Sequence, residues 1–165
     1  MSQARAGWDR LAREAAERRE ADGGAELFRQ LLTFEVDATP YALPVERVRE
    51  IVRLRTVTPM PRVPAAVRGV ISLRGEIVQV VDLRRRLGLP PADPTRRSRV
   101  VVVHGDEGRV AGLMVDAVRE VVSVREESLR PAASESGAVS DLCARGDAFV
   151  SVLDLDRVLD VGDER

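Results

Sequence analysis

The chain repeats itself, and that constrains its fold more than any other feature. Ile77–Leu89 (IVQVVDLRRRLGL) aligns with Phe149–Val161 (FVSVLDLDRVLDV) at an offset of 72, with six of thirteen positions identical. Val45–Val52 (VERVREIV) aligns with Val115–Val122 (VDAVREVV) at an offset of 70, with five of eight identical. Leu31–Asp37 (LLTFEVD) and Val100–Asp106 (VVVVHGD) match in character at an offset of 69. Three segments in one order at nearly one offset predict two similar units. The first ends near Leu89 and the second starts near Arg99, joined by PPADPTRRS, whose prolines cannot continue a strand.

The texture inside each unit is that of short strands. Val-rich runs are broken by Pro, Gly and Asp, and the pattern predicts strands at Gln30–Val36, Gly69–Leu73, Glu76–Val81, Arg99–His104, Arg109–Val115 and Ala148–Leu153. Val78 with Val80, and Val150 with Val152, lie two residues apart, so each pair points to one face, which should be core. Gln79 and Ser151 take the opposite face. Asp82 and Asp154 end their strands, where each carboxylate can cap the short helix that follows. Gly88 closes the first of those helices, and Asp160 stands in its place in the second.

About five strands fit each unit. A flat sheet that small leaves two adhesive edges, and closure into a barrel removes them. The expected fold is therefore mainly β: two five-stranded β-barrels sharing a hydrophobic core, with short helices. Residues 28–90 form the first unit, 90–98 the linker and 99–161 the second. Residues 1–25 precede them and read as a helical extension. There Trp8, Leu11 and Ala15 fall at helical spacing, and Asp9 with Arg13, and Glu14 with Arg18, are i,i+4 pairs, before Gly23 and Gly24 stop the pattern. Such a helix either docks on the body, docks on a partner or frays.

Function by charge is disfavoured. A net charge of −1 gives no electrostatic pull toward nucleic acid or anionic lipid, and 3% aromatic residues leave few platforms for stacking bases. The arginines at 96, 97 and 99 read as a solvated loop. One cysteine suits a reducing cytoplasm, and no apolar run approaches the ~20 residues a membrane span needs. The expected location is the cytoplasm.

Catalysis finds no foothold either. His104 has no second His or Cys at ligand spacing, while zinc takes about three or four ligands. No Gly-x-Ser-x-Gly elbow occurs, and Cys143 has no resolving partner. Gly105–Gly108 (GDEG) is a hairpin loop without the lysine of a phosphate loop, and Glu126 and Glu127 lie in a polar turn. No catalytic residue, metal or cofactor is expected. The remaining candidate is surface, and Arg74 before Gly75 stands at the tip of a tight turn, where a guanidinium can clamp a carboxylate on another protein.

The run Gly69–Leu89, GVISLRGEIVQVVDLRRRLGL, resembles the signature of the CheW-like domain, the coupling protein of bacterial chemotaxis arrays. VERVREIV, GLMVDAVREVV (Gly112–Val122) and the closing FVSVLDLDRVL extend the resemblance, and it places a CheW-like domain at residues 26–162. It implies two SH3-like barrels and a non-enzymatic scaffold, monomeric alone and arrayed in complexes. The implied partners are the cytoplasmic tip of a methyl-accepting chemoreceptor and the regulatory domain of a CheA-type histidine kinase, with no nucleic acid and no insertion into a membrane. Val48, Glu50, Arg74 and Val121 match positions that contact the receptor or shape that surface, and Gly69, Gly75 and Gly112 match structural glycines. Three positions depart from the family pattern: Ser72 for Asn, Gln79 for Pro and Cys143 for a common Gly. They leave open a divergent pathway, such as surface motility, with other partners.

Overall fold

The computed structural model describes residues 7–15, 27–132 and 137–161. Residues 7–15 form a helix, α1. Eleven strands follow among the described residues: β1 (Phe28–Val36), β2 (Thr39–Pro44), β3 (Val48–Arg53), β4 (Val67–Leu73), β5 (Glu76–Asp82), β6 (Arg99–His104), β7 (Val110–Val115), β8 (Ala117–Arg125), β9 (Leu129–Pro131), β10 (Val139–Arg145) and β11 (Ala148–Leu153). Two short helices, α2 (Leu83–Arg86) and α3 (Leu155–Leu159), follow β5 and β11. The fold is mainly β, two SH3-like barrels, as the sequence predicts. One sheet runs β8-β1-β2-β11-β10-β9 and the other β3-β6-β7-β5-β4. The first has six strands because the short β9 adds to the expected five.

Strand pairing crosses the proline linker. β3, β4 and β5 of the first half pair into one sheet with β6 and β7 of the second, while β1 and β2 join β8 to β11. One sheet is thus continuous in sequence from Val48 to Val115, and the other is built from the two flanks. The boundary between sheets does not fall at residues 90–98. The repeat survives this exchange. Exchanging β1, β2, β3, β4 and β5 with β6, β7, β8, β10 and β11, respectively, turns one strand order into the other, the short β9 aside. Arg86 marks where the two repeats meet: it is the counterpart of Val158 at the offset of 72, and its Nε donates to the Val158 carbonyl at 3.0 Å.

Both faces of the central strands are buried, which is why β6 reads as an unbroken Val run. Val100 and Val102 pack inside one barrel with Val52, Ile71, Val78 and Val80. Val101 and Val103 face a second cluster that includes Leu32, Phe34, Leu43, Leu113, Leu153 and Val158. That cluster draws on both sheets and both helices, and it is the shared seam. Leu31, Val122, Val124, Val150 and Val152 fill the other barrel. The Val78/Val80 and Val150/Val152 pairs therefore point inward as their spacing requires.

Trp8 and Ala15 are buried within the seam cluster, with Leu11 and Ala12 against it, so α1 docks on the barrels. Among the described residues of this helix, Arg10 and Glu14 come within 4.0 Å, and the expected Asp9 with Arg13 is not an ion pair. Arg18, Gly23 and Gly24 lie outside the described residues. Asp82 caps α2, its carboxylate accepting from the Arg84 N–H at 3.0 Å. Asp154 caps α3 through the Arg157 N–H at 3.2 Å.

Candidate functional site

β3 and β4 are the two ends of their strand order, and the site lies where the barrel closes between them. Backbone closure is made by Thr58, just past β3. Its N–H donates to the Val70 carbonyl at 2.8 Å, and the Val70 N–H returns to the Thr58 carbonyl at 2.9 Å. Gly69 makes this approach possible. Its φ is +147°, and a Cβ there would stand 2.1 Å from the Thr58 carbonyl oxygen. Gly112 is also a close-approach glycine, in the central strand β7, where a Cβ would fall 2.6 Å from a Val100 methyl.

Side chains finish the closure. Leu73 pairs with Glu76, leaving Arg74 and Gly75 as a two-residue turn with φ of 51° and 81°. Both values suit a type I′ turn, whose twist matches the strands; glycine meets the second without strain and arginine does not. The turn brings Arg74 back over β3. Its two terminal nitrogens reach the two Glu50 carboxylate oxygens at 3.0 and 2.8 Å. Alongside, Arg49 holds Glu76 at 2.9 Å and Arg55 donates to the Ser72 carbonyl at 3.1 Å.

Glu50 is inward because of a bulge. Val48 pairs with Val103 and Glu50 with Val102, so Arg49 is the extra residue. Alternation would place residues 48 and 50 on one face, and the bulge sends them to opposite faces. Val48 joins Val103 in the seam, while Glu50 takes the barrel side with only 2% exposure. A carboxylate that deep needs an opposite charge with good geometry, and the planar guanidinium supplies both.

These placements revise the picture of a free clamp. The Arg74 guanidinium, one-third exposed, already holds a carboxylate of its own chain. Val48 and Val121 are buried in the same seam cluster. Of the four receptor-surface candidates, Arg74 and Glu50 come together and Val48 and Val121 lie in the wall between barrels. Arg49, Arg55, Thr58 and Glu76 escaped the sequence reading. The alternation of charge in Arg49-Glu50 was visible, but the bulge that gives it meaning was not.

Elsewhere the chemistry is sparse. His104 ends β6 with its side chain exposed, and Cys143 is buried in β10. Among the described residues, no three His, Cys, Asp or Glu side chains are placed to hold a metal ion. No described helix is long and apolar enough to cross a membrane. Gln79 lies within a paired stretch, opposite Val70 on one side and Ala111 on the other, a position where proline would remove a ladder donor.

The paired barrels define the class: a mainly β protein of two SH3-like barrels. The CheW-like domain model matches residues 30–162, and the chain belongs to that family. It is 38% identical over 118 residues to a probable chemotaxis protein CheW of Rhizobium etli, covering 72% of this chain and 76% of that one. It is equally similar, with the same coverage, to the chemotaxis protein CheW of Rhizobium meliloti. The crystal structure of the scaffolding protein TtCheW from Thermoanaerobacter tengcongensis matches with a TM-score of 0.77 at 29% identity, over 84% of this chain and 98% of that one.

Proposed function

We propose that the chain is a non-enzymatic adaptor in the cytoplasm, coupling the tip of a methyl-accepting chemoreceptor to the regulatory domain of a CheA-type histidine kinase. The observation that carries this reading is the family match across residues 30–162, and the rim of ion pairs supports it as a surface held in place. An adaptor needs a surface held in one shape, because ordering it at the moment of binding would cost affinity. The Arg74–Glu50 pair, the Arg49–Glu76 pair and the Thr58 bridge fix the rim before a partner arrives.

In this reading Arg74 and Glu50 shape the receptor-facing surface, and Val48 and Val121 act from beneath it, by setting the barrel-to-barrel packing. The exposed side of the rim, including the half-exposed Glu76, is what a partner meets. The isolated chain is a monomer, and partners build the array. Co-sedimentation with a receptor signalling fragment and with the kinase regulatory domain tests the proposal. Binding to both is expected, and Glu76→Lys weakens the receptor arm without unfolding. Binding to neither, across several candidate partners, removes it.

A further inference from the structure

We propose that the cleft between the end of β3 and residues Thr95–Arg99 binds a phosphate group. The cleft has a volume of about 500 Å³ and is lined by Arg53, Leu54, Thr95, Arg96, Ser98 and Arg99. Three arginines line it and no carboxylate does. Arg97, their neighbour in sequence, does not take part, because it pairs with Glu35 at 3.3 Å.

Strand register makes the positive charge deliberate. Arg53 and Arg99 are direct cross-strand partners, and like charges directly opposite destabilise a sheet. Among the described residues nothing relieves them: Arg53 and Arg96 have no ion-pair partner there. Arg99 spends one terminal nitrogen on the Arg96 and Ser98 carbonyls, both at 2.8 Å, which fixes its guanidinium at the cleft. An anion between these groups turns a repulsive arrangement into an attractive one.

The hydroxyls add direction. Ser98 Oγ accepts the Thr95 N–H at 2.8 Å, and Thr95 Oγ1 accepts the Arg97 N–H at 3.1 Å. Each oxygen is engaged as an acceptor, so each O–H hydrogen stays available to donate. A carboxylate carries one charge on two oxygens, and a single guanidinium edge already matches it bidentately. Three guanidiniums and two hydroxyl donors match an oxyanion with more acceptors and more charge, which is the chemistry of phosphate. The phosphate can belong to a soluble small molecule or to a lipid headgroup. The site shares no residue with the Arg74 rim and does not depend on the adaptor reading.

The test is titration of the full chain with sodium pyrophosphate at low salt, followed by amide NMR against matched sodium chloride. Saturable shifts confined to residues near 53 and 95–99 are expected, with affinity reduced about tenfold or more in R53Q/R96Q. Both substituted arginines are exposed and have no ion-pair partner among the described residues, so the variant keeps its fold, and its unchanged spectrum elsewhere checks that. Pelleting with phosphatidylglycerol vesicles, lost in the same variant, assigns the phosphate to a headgroup. Saturation by pyrophosphate without pelleting assigns a soluble ligand. Non-saturating shifts together with absent pelleting, or binding by either probe that survives R53Q/R96Q, overturn the proposal.

Discussion

Arg74→Ala removes both hydrogen bonds to Glu50 and leaves a carboxylate that is 2% exposed with Arg49 Nε, 3.9 Å away, as its remaining cation. Breaking a fully buried pair by deleting one partner costs about 3–5 kcal/mol. The Arg74 side chain is 33% exposed, so water screens the outer edge of the pair and takes the place of the lost guanidinium in part. The expected loss is therefore about 2–3 kcal/mol, or a fall in Tm of roughly 4–12 °C for a chain of this size. Glu50→Gln keeps the shape but sets an amide against the guanidinium, and should lose about 1–3 kcal/mol. The two together should lose less than their sum, because the second change removes a group the first had already orphaned. Urea unfolding followed by far-UV circular dichroism gives all three values. A loss below about 0.5 kcal/mol for Arg74→Ala, or strict additivity in the double variant, would refute the buried-pair account. Charge reversal at Arg74 is for the same reason a poor probe of docking, since it buries two carboxylates face to face.

Three other substitutions read different parts of the structure. Gly69→Ala puts a Cβ 2.1 Å from the Thr58 carbonyl oxygen and should open the barrel seam, lowering stability by more than about 3 kcal/mol and exposing the Val70 amide to hydrogen exchange. Ala38, at φ 58° in the β1–β2 turn, is strained where glycine is not, and Ala38→Gly should raise stability by about 0.5–1 kcal/mol in thermal unfolding. Burial alone would push the Asp116 carboxyl up, but the hydrogen bond and charge of Arg84 and the Asp37 N–H outweigh it, and its pKa falls below the usual 3.8. A group depressed in the folded state stabilises above its unfolded pKa and loses that contribution as pH falls through the folded value. Wild type should thus exceed Asp116→Asn in stability at neutral pH, with the gap closing below about pH 4; a gap that widens on acidification contradicts this.

Strands whose side chains alternate, or that are buried on both faces, were legible in sequence. Glu76–Val81 and Arg99–His104 needed only local pattern, because the pattern is a consequence of which faces are dry. β2 was not legible. It carries Pro40 and Pro44, and it survives in mid-sheet because its parallel pairing to β11 covers only Tyr41 and Ala42, leaving the prolines outside that bridge. β8 and β10 are interrupted by register shifts and half-polar faces, so periodicity passed over them. The repeat predicted two barrels, but nothing local specifies partners, and the exchange of strands across the linker could not be read from it. At the rim, the turn at Arg74-Gly75 was visible in the residues, whereas the inward course of Glu50 depends on one extra residue in β3. A guanidinium that looked free in sequence therefore proves to be held.

Reconstitution of kinase activity tests the central claim most directly. A CheA-type kinase is mixed with receptor signalling fragments, and phosphoryl transfer is measured as this chain is added. If the chain is a coupling adaptor, kinase activity comes under receptor control only in its presence, saturates with its concentration, and falls away in Glu76→Lys while the fold persists. Receptor control that is equally strong without the chain, or no change at saturating chain with both partners shown to be active, would contradict the account.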